Sequence, residues 1–448
     1  MNYLTDKYRK NSDFRLAVQL LFILVLSRLF MLVMMIVYNA VMGTDRSISF
    51  LMNQWDAKRY QFMIDNGYTF PLDTDPQANW AFFPMYVLVC QAVKLLTFWK
   101  GDTYWIGMFV SNVCIYIAAF YGVKWLRNRR EGENISLLLG ILMFAAPYTF
   151  YCSSAYTEAM FIMFISLFFY FCQEKKYLLA GLMSAFASAT RIVGCTLVFA
   201  LIVELYENYR RENFTEKNGS RFSERVKAFI VDFLKKPKQI LAVLICPFGT
   251  FAYMTFLKFF CGDVWAFMHV QIAWREDKYF PVIGVLWKAC TGQIEPRYTY
   301  MGWFCIAAFA VYAYMLYRKY YSMAVFGIIS LLVPLTSHVM STCRFIIGTY
   351  IIFVGVYDLM NYAGLRRAAV PSAGGGLTAR RQQLDSPPAD GCKDLCETIE
   401  PADSAANENA VLGWSRRRKV VNSLILAAFL IVEGILLFLW YNSDCWLM

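Results

Sequence analysis

From Leu16 to Val41 the chain carries a single charged side chain, Arg28. A helix through such a run covers the roughly 30 Å of hydrocarbon in a bilayer, which takes about 20 apolar residues. Comparable apolar runs recur at 105–125, 239–260, 300–317 and 420–441. In lipid each backbone amide must be satisfied within its own segment, which leaves helices or closed barrels. Runs this long and apolar belong to helices, so the expected fold class is an all-α polytopic membrane protein. Composition agrees: 58% of the 448 residues are hydrophobic and 17% charged, against about a quarter charged in soluble domains. The first run is too long for the apolar core of a signal peptide and no small-residue cleavage site closes it, so it reads as an uncleaved first span.

The net charge of +11 follows from the same fold class. Basic residues gather in cytoplasmic loops and fix topology, and no soluble basic domain or nucleic-acid motif is present. Nine basic and four acidic residues between Arg210 and Lys238 mark one such face. The thirteen cysteines are scattered, many inside apolar runs such as Cys114, Cys172, Cys195 and Cys246, where they act as small buried hydrophobes. His269 and His338 are the only histidines and neither has ligand spacing, so no metal and no cofactor is expected.

Following the basic clusters as cytoplasmic ends gives about eleven transmembrane helices. Residues 82–99 look apolar enough to span, but a crossing there would carry Lys124, Arg127, Arg129 and Arg130 outside. They are therefore expected in the interface or re-entrant. The further expected spans are 134–151, 158–172, 177–190, 193–206, 323–336 and 344–362. Two large outer loops result, 44–104 and 261–299. The domain reading is a transmembrane catalytic domain over 1–362, a disordered cytoplasmic linker over 363–419, and a terminal transmembrane helix within 420–448. The linker is rich in Gly, Pro, Ala and Ser, and buries too little to offset its ordering entropy.

The first outer loop is unusually polar for its place. Between apolar runs it holds Asp56, Lys58, Arg59, Asp65, Asp73 and Asp75, bracketed by Trp55, Tyr60, Tyr68, Trp80, Phe82 and Phe83. Aromatic rings of this kind favour the boundary of hydrocarbon and water, so the loop is expected to fold back on the membrane surface as interfacial helices. Asp56 is its candidate chemical centre, although its position alone would equally suit a helix cap. Arg191 and Arg344 each follow an apolar run at a predicted outer end. A charge there is costly and commonly functional, and the planar guanidinium suits phosphate, while snorkelling to headgroups is the plain alternative. Arg28 is expected to be a buried structural cation with Glu158 as its partner.

The pattern Trp55-Asp56-Ala57 with Tyr60, then Gly67-Tyr68, then Ala81-Phe82-Phe83-Pro84 with Tyr86, resembles the GPI mannosyltransferase 2 family, especially its bacterial members. Ser154-Ala155-Tyr156-Thr157-Glu158, Ala180-Gly181, Thr190-Arg191 with Gly194, and Arg344 extend the match over most of the membrane-embedded chain. The resemblance implies a GT-C-like bundle and a mannosyltransferase that takes sugar from a polyprenyl-phosphate donor. An acidic residue of the first outer loop would act as general base, here Asp56. The acceptor would be a lipid-linked or surface glycan. Lys58-Arg59 departs from the usual pattern, so acceptor choice does not carry over. No glutamate lies between Tyr68 and Ala81, which favours a bacterial-type enzyme.

On this reading Asp56 is catalytic, Arg191 and Arg344 bind donor phosphate, and Trp55, Tyr60, Tyr68, Tyr156, Glu158, Gln271 and Trp274 contact substrate. The expected setting is the plasma membrane with the catalytic loops outside, or the endoplasmic reticulum membrane in a eukaryote. Membrane lipids are the expected surroundings, nucleic acid is not expected as a partner, and a partner subunit is left open. A lipid or glycolipid flippase also needs intramembrane charges; transporters commonly show two matching halves, which this chain lacks. A non-catalytic scaffold and a two-carboxylate glycosidase built on Asp56 and Glu158 are further alternatives.

Overall fold

The computed structural model describes residues 11–69, 79–129, 137–214, 221–273, 281–336, 338–368 and 402–442. Among them every regular element is helical. Contacts divide the chain into a large unit, Met1–Val356 with Phe429–Met448, and a smaller one, Tyr357–Ala428.

Helix α1 (Ser12–Met42) starts on Asn11, whose side chain accepts from the N–H groups of Asp13 and Phe14. It ends at Gly43, where φ is +62°, a left-handed conformation that costs glycine little. Leu16, Leu20, Leu24, Ser27 and Met31 form its buried stripe, spaced at the helical period. The opposite face is equally apolar yet uncovered: Phe22 is 63% exposed and Ile36 59%. A helix that is apolar all round and covered by protein on one stripe only has lipid on its other side.

Five helices among the described residues are long and apolar enough to cross a membrane, or six if one bent pair counts as a span. Besides α1 these include α4 (Thr103–Arg129) and the C-terminal part of the last helix, Val420–Tyr441. The bent pair, Pro237–Ile245 and Phe248–Cys261, turns by 47° at its break, where Pro247 cannot donate to the helical ladder. Other apolar segments fold as shorter helices: α3 (Pro84–Leu96), α6 (Glu158–Gln173), α7 (Tyr177–Thr190) and α14 (Tyr321–Leu335) among them. At 1.5 Å per residue these stop short of a full crossing. Within the segment at 82–99, expected to be re-entrant or interfacial, the helix covers Pro84–Leu96.

The remaining helices used below are α2 (Asp56–Asn66), α5 (Leu137–Ala145), α8 (Leu197–Asn213), α9 (Phe222–Leu234), α10 (Pro237–Ile245), α11 (Phe248–Cys261), α12 (Val282–Cys290), α13 (Thr299–Tyr317), α15 (Thr342–Ile347), α16 (Ile351–Ala368) and α17 (Ala402–Tyr441). Two expectations are corrected. Residues 134–151 do not form one span: α5 ends at Ala145, and after Pro147 the chain turns through Tyr148, at φ +69°, into a short 3-10 turn, Thr149–Cys152. Residues 363–368 and 402–419 of the expected linker are helical, as the ends of α16 and α17; 369–401 lie outside the described residues.

Three packing arrangements position the site. Helices α6 and α7 are joined by the turn at Glu174–Lys176 and run antiparallel, so the start of α6 and the end of α7 share one end of the unit. Helix α7 buries Ala180, Gly181, Ser184, Ala185, Ala187 and Ser188, and these small residues let the bent pair α10–α11 approach closely, with Gly181 against Ala242 and Gly249 against Ala185. Thr250 Oγ1 donates to Ser188 O at 3.2 Å, and the Thr250 N–H donates to Ser188 Oγ at 3.2 Å. The polar helix α2 is fastened to α3 and α4 by Lys94, whose Nζ lies 2.5 Å from Asp65 Oδ1 and 2.9 Å from Thr103 Oγ1.

Candidate active site

Asp56 is the first residue of α2 and Glu158 the first of α6. Each carboxylate therefore sits where the helix dipole favours negative charge. Arg191 follows directly on α7, its backbone extended at φ −153° before the 3-10 turn Ile192–Thr196. Arg344 lies in α15, a six-residue helix that begins after Ser341 at φ +62°. Trp55, the residue before Asp56, has φ +53°. Positive φ at a non-glycine residue costs on the order of 1–3 kcal/mol and persists where the surroundings hold it. Trp55, Tyr148 and Ser341 thus mark three strained turns, each just ahead of a segment that supplies the site.

The four charged groups form one network. Arg344 Nη1 donates to Asp56 Oδ2 at 2.7 Å, and its Nε lies 3.2 Å from Glu158 Oε1. Arg191 Nη1 donates to the same Glu158 oxygen at 2.8 Å. Glu158 is 2% exposed and the two arginine side chains 16% and 12%. Two carboxylates offset two guanidinium groups, which makes their shared burial tolerable. Aromatic rings complete the cradle: Arg344 lies 5.7, 5.4 and 5.3 Å from the ring centres of Tyr151, Tyr156 and Phe345, and Arg191 lies 4.9 Å from that of Phe345.

The backbone around Asp56 is fixed from the α6 side. The Asp56 N–H donates to the Tyr156 hydroxyl at 3.2 Å, and that hydroxyl donates to Gln54 O at 2.8 Å. The Ala155 N–H donates to Asn53 Oδ1 at 2.8 Å. Burial first of all pushes the Tyr156 and Tyr60 hydroxyls above the ordinary tyrosine value, so both stay neutral donors at working pH.

A cavity of about 810 Å³ opens over this network, lined by all four charged residues together with Tyr60 and Tyr156. Its walls are mostly apolar, with Phe82, Phe83, Phe161, Trp265, Phe267, Met268, Val333, Pro334 and Met340 among them. A few convergent polar groups in an apolar cavity of this size are the usual form of a small-molecule site.

The structure thus brings Asp56, Arg191 and Arg344 into one cavity, with Tyr60, Tyr156, Glu158 and Gln271 beside them. Trp55 and Tyr68 do not line it. The Tyr68 hydroxyl donates to Phe82 O at 2.7 Å, and its ring packs 5.9 Å from that of Tyr253. Trp274 lies outside the described residues. Arg28 does not meet Glu158: its Nε donates to Asn112 Oδ1 at 2.6 Å and its Nη1 to Ser27 Oγ at 2.9 Å. Glu158 is already committed to the two site arginines, which explains the difference. Sequence reasoning missed Tyr151, Phe345 and His269. His269 lines the cavity and is held by Asp263, 2.7 Å from its Nδ1. Phe345 carried a signal in its adjacency to Arg344; Tyr151 carried none.

No protein-family model and no curated protein matches the chain. Among solved structures, ArnT from Cupriavidus metallidurans bound to undecaprenyl phosphate is similar over 93% of this chain and 76% of its own, at 11% identity and TM-score 0.45. The Archaeoglobus fulgidus oligosaccharyltransferase, in complex with Zn and sulfate, is similar over 94% of this chain and 53% of its own, at 10% identity and TM-score 0.42.

Proposed function

We propose that the chain is an inverting membrane glycosyltransferase of GT-C type that moves a hexose from a polyprenyl-phosphate donor to an acceptor hydroxyl, with Asp56 as general base. The observation that carries this reading is the junction of Asp56, Glu158, Arg191 and Arg344 in one apolar-walled cavity among membrane helices. An anionic lipid-linked sugar needs these parts together: donors for its phosphate, a carboxylate for the acceptor proton, and apolar walls for the carrier.

In the proposed step the acceptor oxygen attacks the anomeric carbon from the face opposite the phosphate, and Asp56 takes its proton. The bond from carbon to phosphate oxygen breaks, and the electron pair leaves on the phosphate. Arg191 and Arg344 each commit one Nη1 to a carboxylate, and Arg344 Nε stands 3.2 Å from Glu158 Oε1 as an ion-pair contact. Each guanidinium has five N–H donors, so both retain donors for the leaving group. Arg344, in contact with the base and facing the cavity, couples the two ends of the displacement. The phosphate is held by charge-assisted hydrogen bonds of the stronger kind.

The site end is the start of α6 and the end of α7, whereas Lys175 and Lys176 lie in the turn at the opposite end. Basic residues at that end favour a cytoplasmic placement for it and a non-cytoplasmic one for the cavity. Mannose as the sugar, and a lipid-linked or surface glycan as acceptor, follow from the sequence resemblance. The test is reconstitution of the full chain in vesicles with a panel of polyprenyl-phosphate sugars and mass spectrometry of the lipid-linked products. A new glycosidic bond with one donor supports the reading. Movement of unmodified lipid across the bilayer without any new bond would establish the flippase instead.

A further inference from the structure

The last helix reaches the site from behind. Glu433, in an otherwise apolar stretch of α17, is buried and accepts the Phe150 N–H at 2.8 Å and the Thr149 hydroxyl at 3.2 Å. This pins the 3-10 turn that carries Tyr151. Two helical turns further along the same face, Trp440 is fully buried, unlike a boundary tryptophan, whose ring keeps one edge wet. Its Nε1–H donates to Met52 O at 3.2 Å, which fixes the orientation of the ring four residues ahead of Asp56. The ring packs on Tyr151 at 4.9 Å between centres and on Tyr156 at 6.0 Å, both edge to face. Those tyrosines meet each other at 5.3 Å, and both lie within cation–π range of Arg344. Tyr156 also holds the Asp56 N–H. Trp440 itself lines no part of the cavity.

We propose that Trp440 is a positioning residue for the Arg344–Asp56 pair, acting through Tyr151 and Tyr156, so that the end of α17 belongs to the catalytic unit although a long intervening segment separates it in sequence. The indole is the common support of both rings, while the Tyr156 hydroxyl is held separately by the Asp56 N–H and Gln54 O. Without it the two rings relax into the vacated volume, and Arg344 loses the surface that sets its angle between Asp56 and Glu158. The effect on activity rests on the glycosyl-transfer reading above; the structural coupling does not.

The test uses the full chain with Trp440→Phe, Trp440→Leu and Arg344→Lys, alone and combined. Hydrogen–deuterium exchange of the wild type and Trp440→Leu is expected to show faster exchange in 149–157 and 342–348, with 177–190 unchanged. In transfer assays Trp440→Leu is expected to lower kcat/KM on the order of tenfold, within the range of coupling between residues in contact. Trp440→Phe should recover most of that loss. Trp440→Leu combined with Arg344→Lys should fall no further than Arg344→Lys alone, because both act on one group. Losses that multiply, or unchanged exchange at 149–157 and 342–348, would overturn the inference. A wild type that forms no glycosidic bond while the exchange pattern appears would instead count against the functional reading and leave the positioning role standing.

Discussion

Arg344 and Asp56 are separated by 288 positions in the chain, yet their side chains meet at 2.7 Å. The contact joins the six-residue helix α15 to the first residue of α2, and Glu158 closes the arrangement by holding Arg344 and Arg191 together. The carboxylate proposed as the base therefore touches the cation proposed to hold the leaving group. The predictions below follow from that geometry.

Glu158→Gln leaves two partly buried guanidinium groups without their shared carboxylate. Breaking one side of a buried ion pair costs about 3–5 kcal/mol. A clear fall in the melting temperature in detergent is expected, together with loss of transfer. An unchanged melting curve would show that the network contributes little to folding.

Arg191→Lys and Arg344→Lys keep the charge but lose the planar fork. Hydrogen bonds to charged groups contribute about 1.5–3 kcal/mol each, so donor KM is expected to rise on the order of tenfold or more in both. Arg344→Lys should also lower kcat, because one ammonium nitrogen does not reproduce the two separate guanidinium nitrogens that face Asp56 and Glu158. Initial rates against donor concentration separate the two effects.

Tyr156→Phe removes the acceptor of the partly buried Asp56 N–H, at about 1 kcal/mol. Transfer should fall while the alkaline limb of the pH–rate profile stays where it is. Burial keeps the Tyr156 hydroxyl protonated well past its ordinary range, so its ionisation takes no part in the wild-type profile. A limb that disappears in the variant would contradict this.

Ser341→Gly and Ser341→Val test the strained turn ahead of Arg344. Glycine accepts φ +62° without penalty, whereas a β-branched residue there is an outlier. Equal or higher stability is expected for glycine and a loss of more than about 1 kcal/mol for valine, read from thermal melts. The reverse order would remove strain from the account of this turn.

Replacing 369–401 with a Gly/Ser linker of equal length is expected to leave transfer within about twofold, since flexible linkers of this composition impose no geometry of their own. Truncation before α17 should abolish it, because Glu433 and Trp440 are then lost.

Much of the architecture was legible in the sequence because hydropathy reports helices directly. The runs that became α1, α4, α13 and α17 could be read one at a time, and Trp55-Asp56 stood out as polar chemistry between apolar segments. The break after α5 falls at Pro147-Tyr148-Thr149, a short dip after which Phe150 and Cys152 resume the apolar run. Glu158 was noticed, but its role as the shared partner of Arg191 and Arg344 depends on the α6–α7 hairpin and on α15 arriving beside it, which no local pattern encodes. Arg28 meets Asn112 of α4 rather than the expected Glu158, a pairing between distant helices that hydropathy does not report. Glu433 did carry a signal, as a lone carboxylate inside an apolar run, although its partners lie more than 280 positions away.

The most direct test compares sugar transfer from polyprenyl-phosphomannose by the wild type and by Asp56→Asn, alongside binding of a polyprenyl phosphate to both proteins. The isosteric amide cannot take a proton but can keep a hydrogen bond from Arg344. Turnover is therefore expected to fall on the order of a hundredfold or more, the usual contribution of a positioned base, with carrier binding retained. Equal turnover by wild type and variant would contradict Asp56 as the base and with it the mechanism proposed for this site.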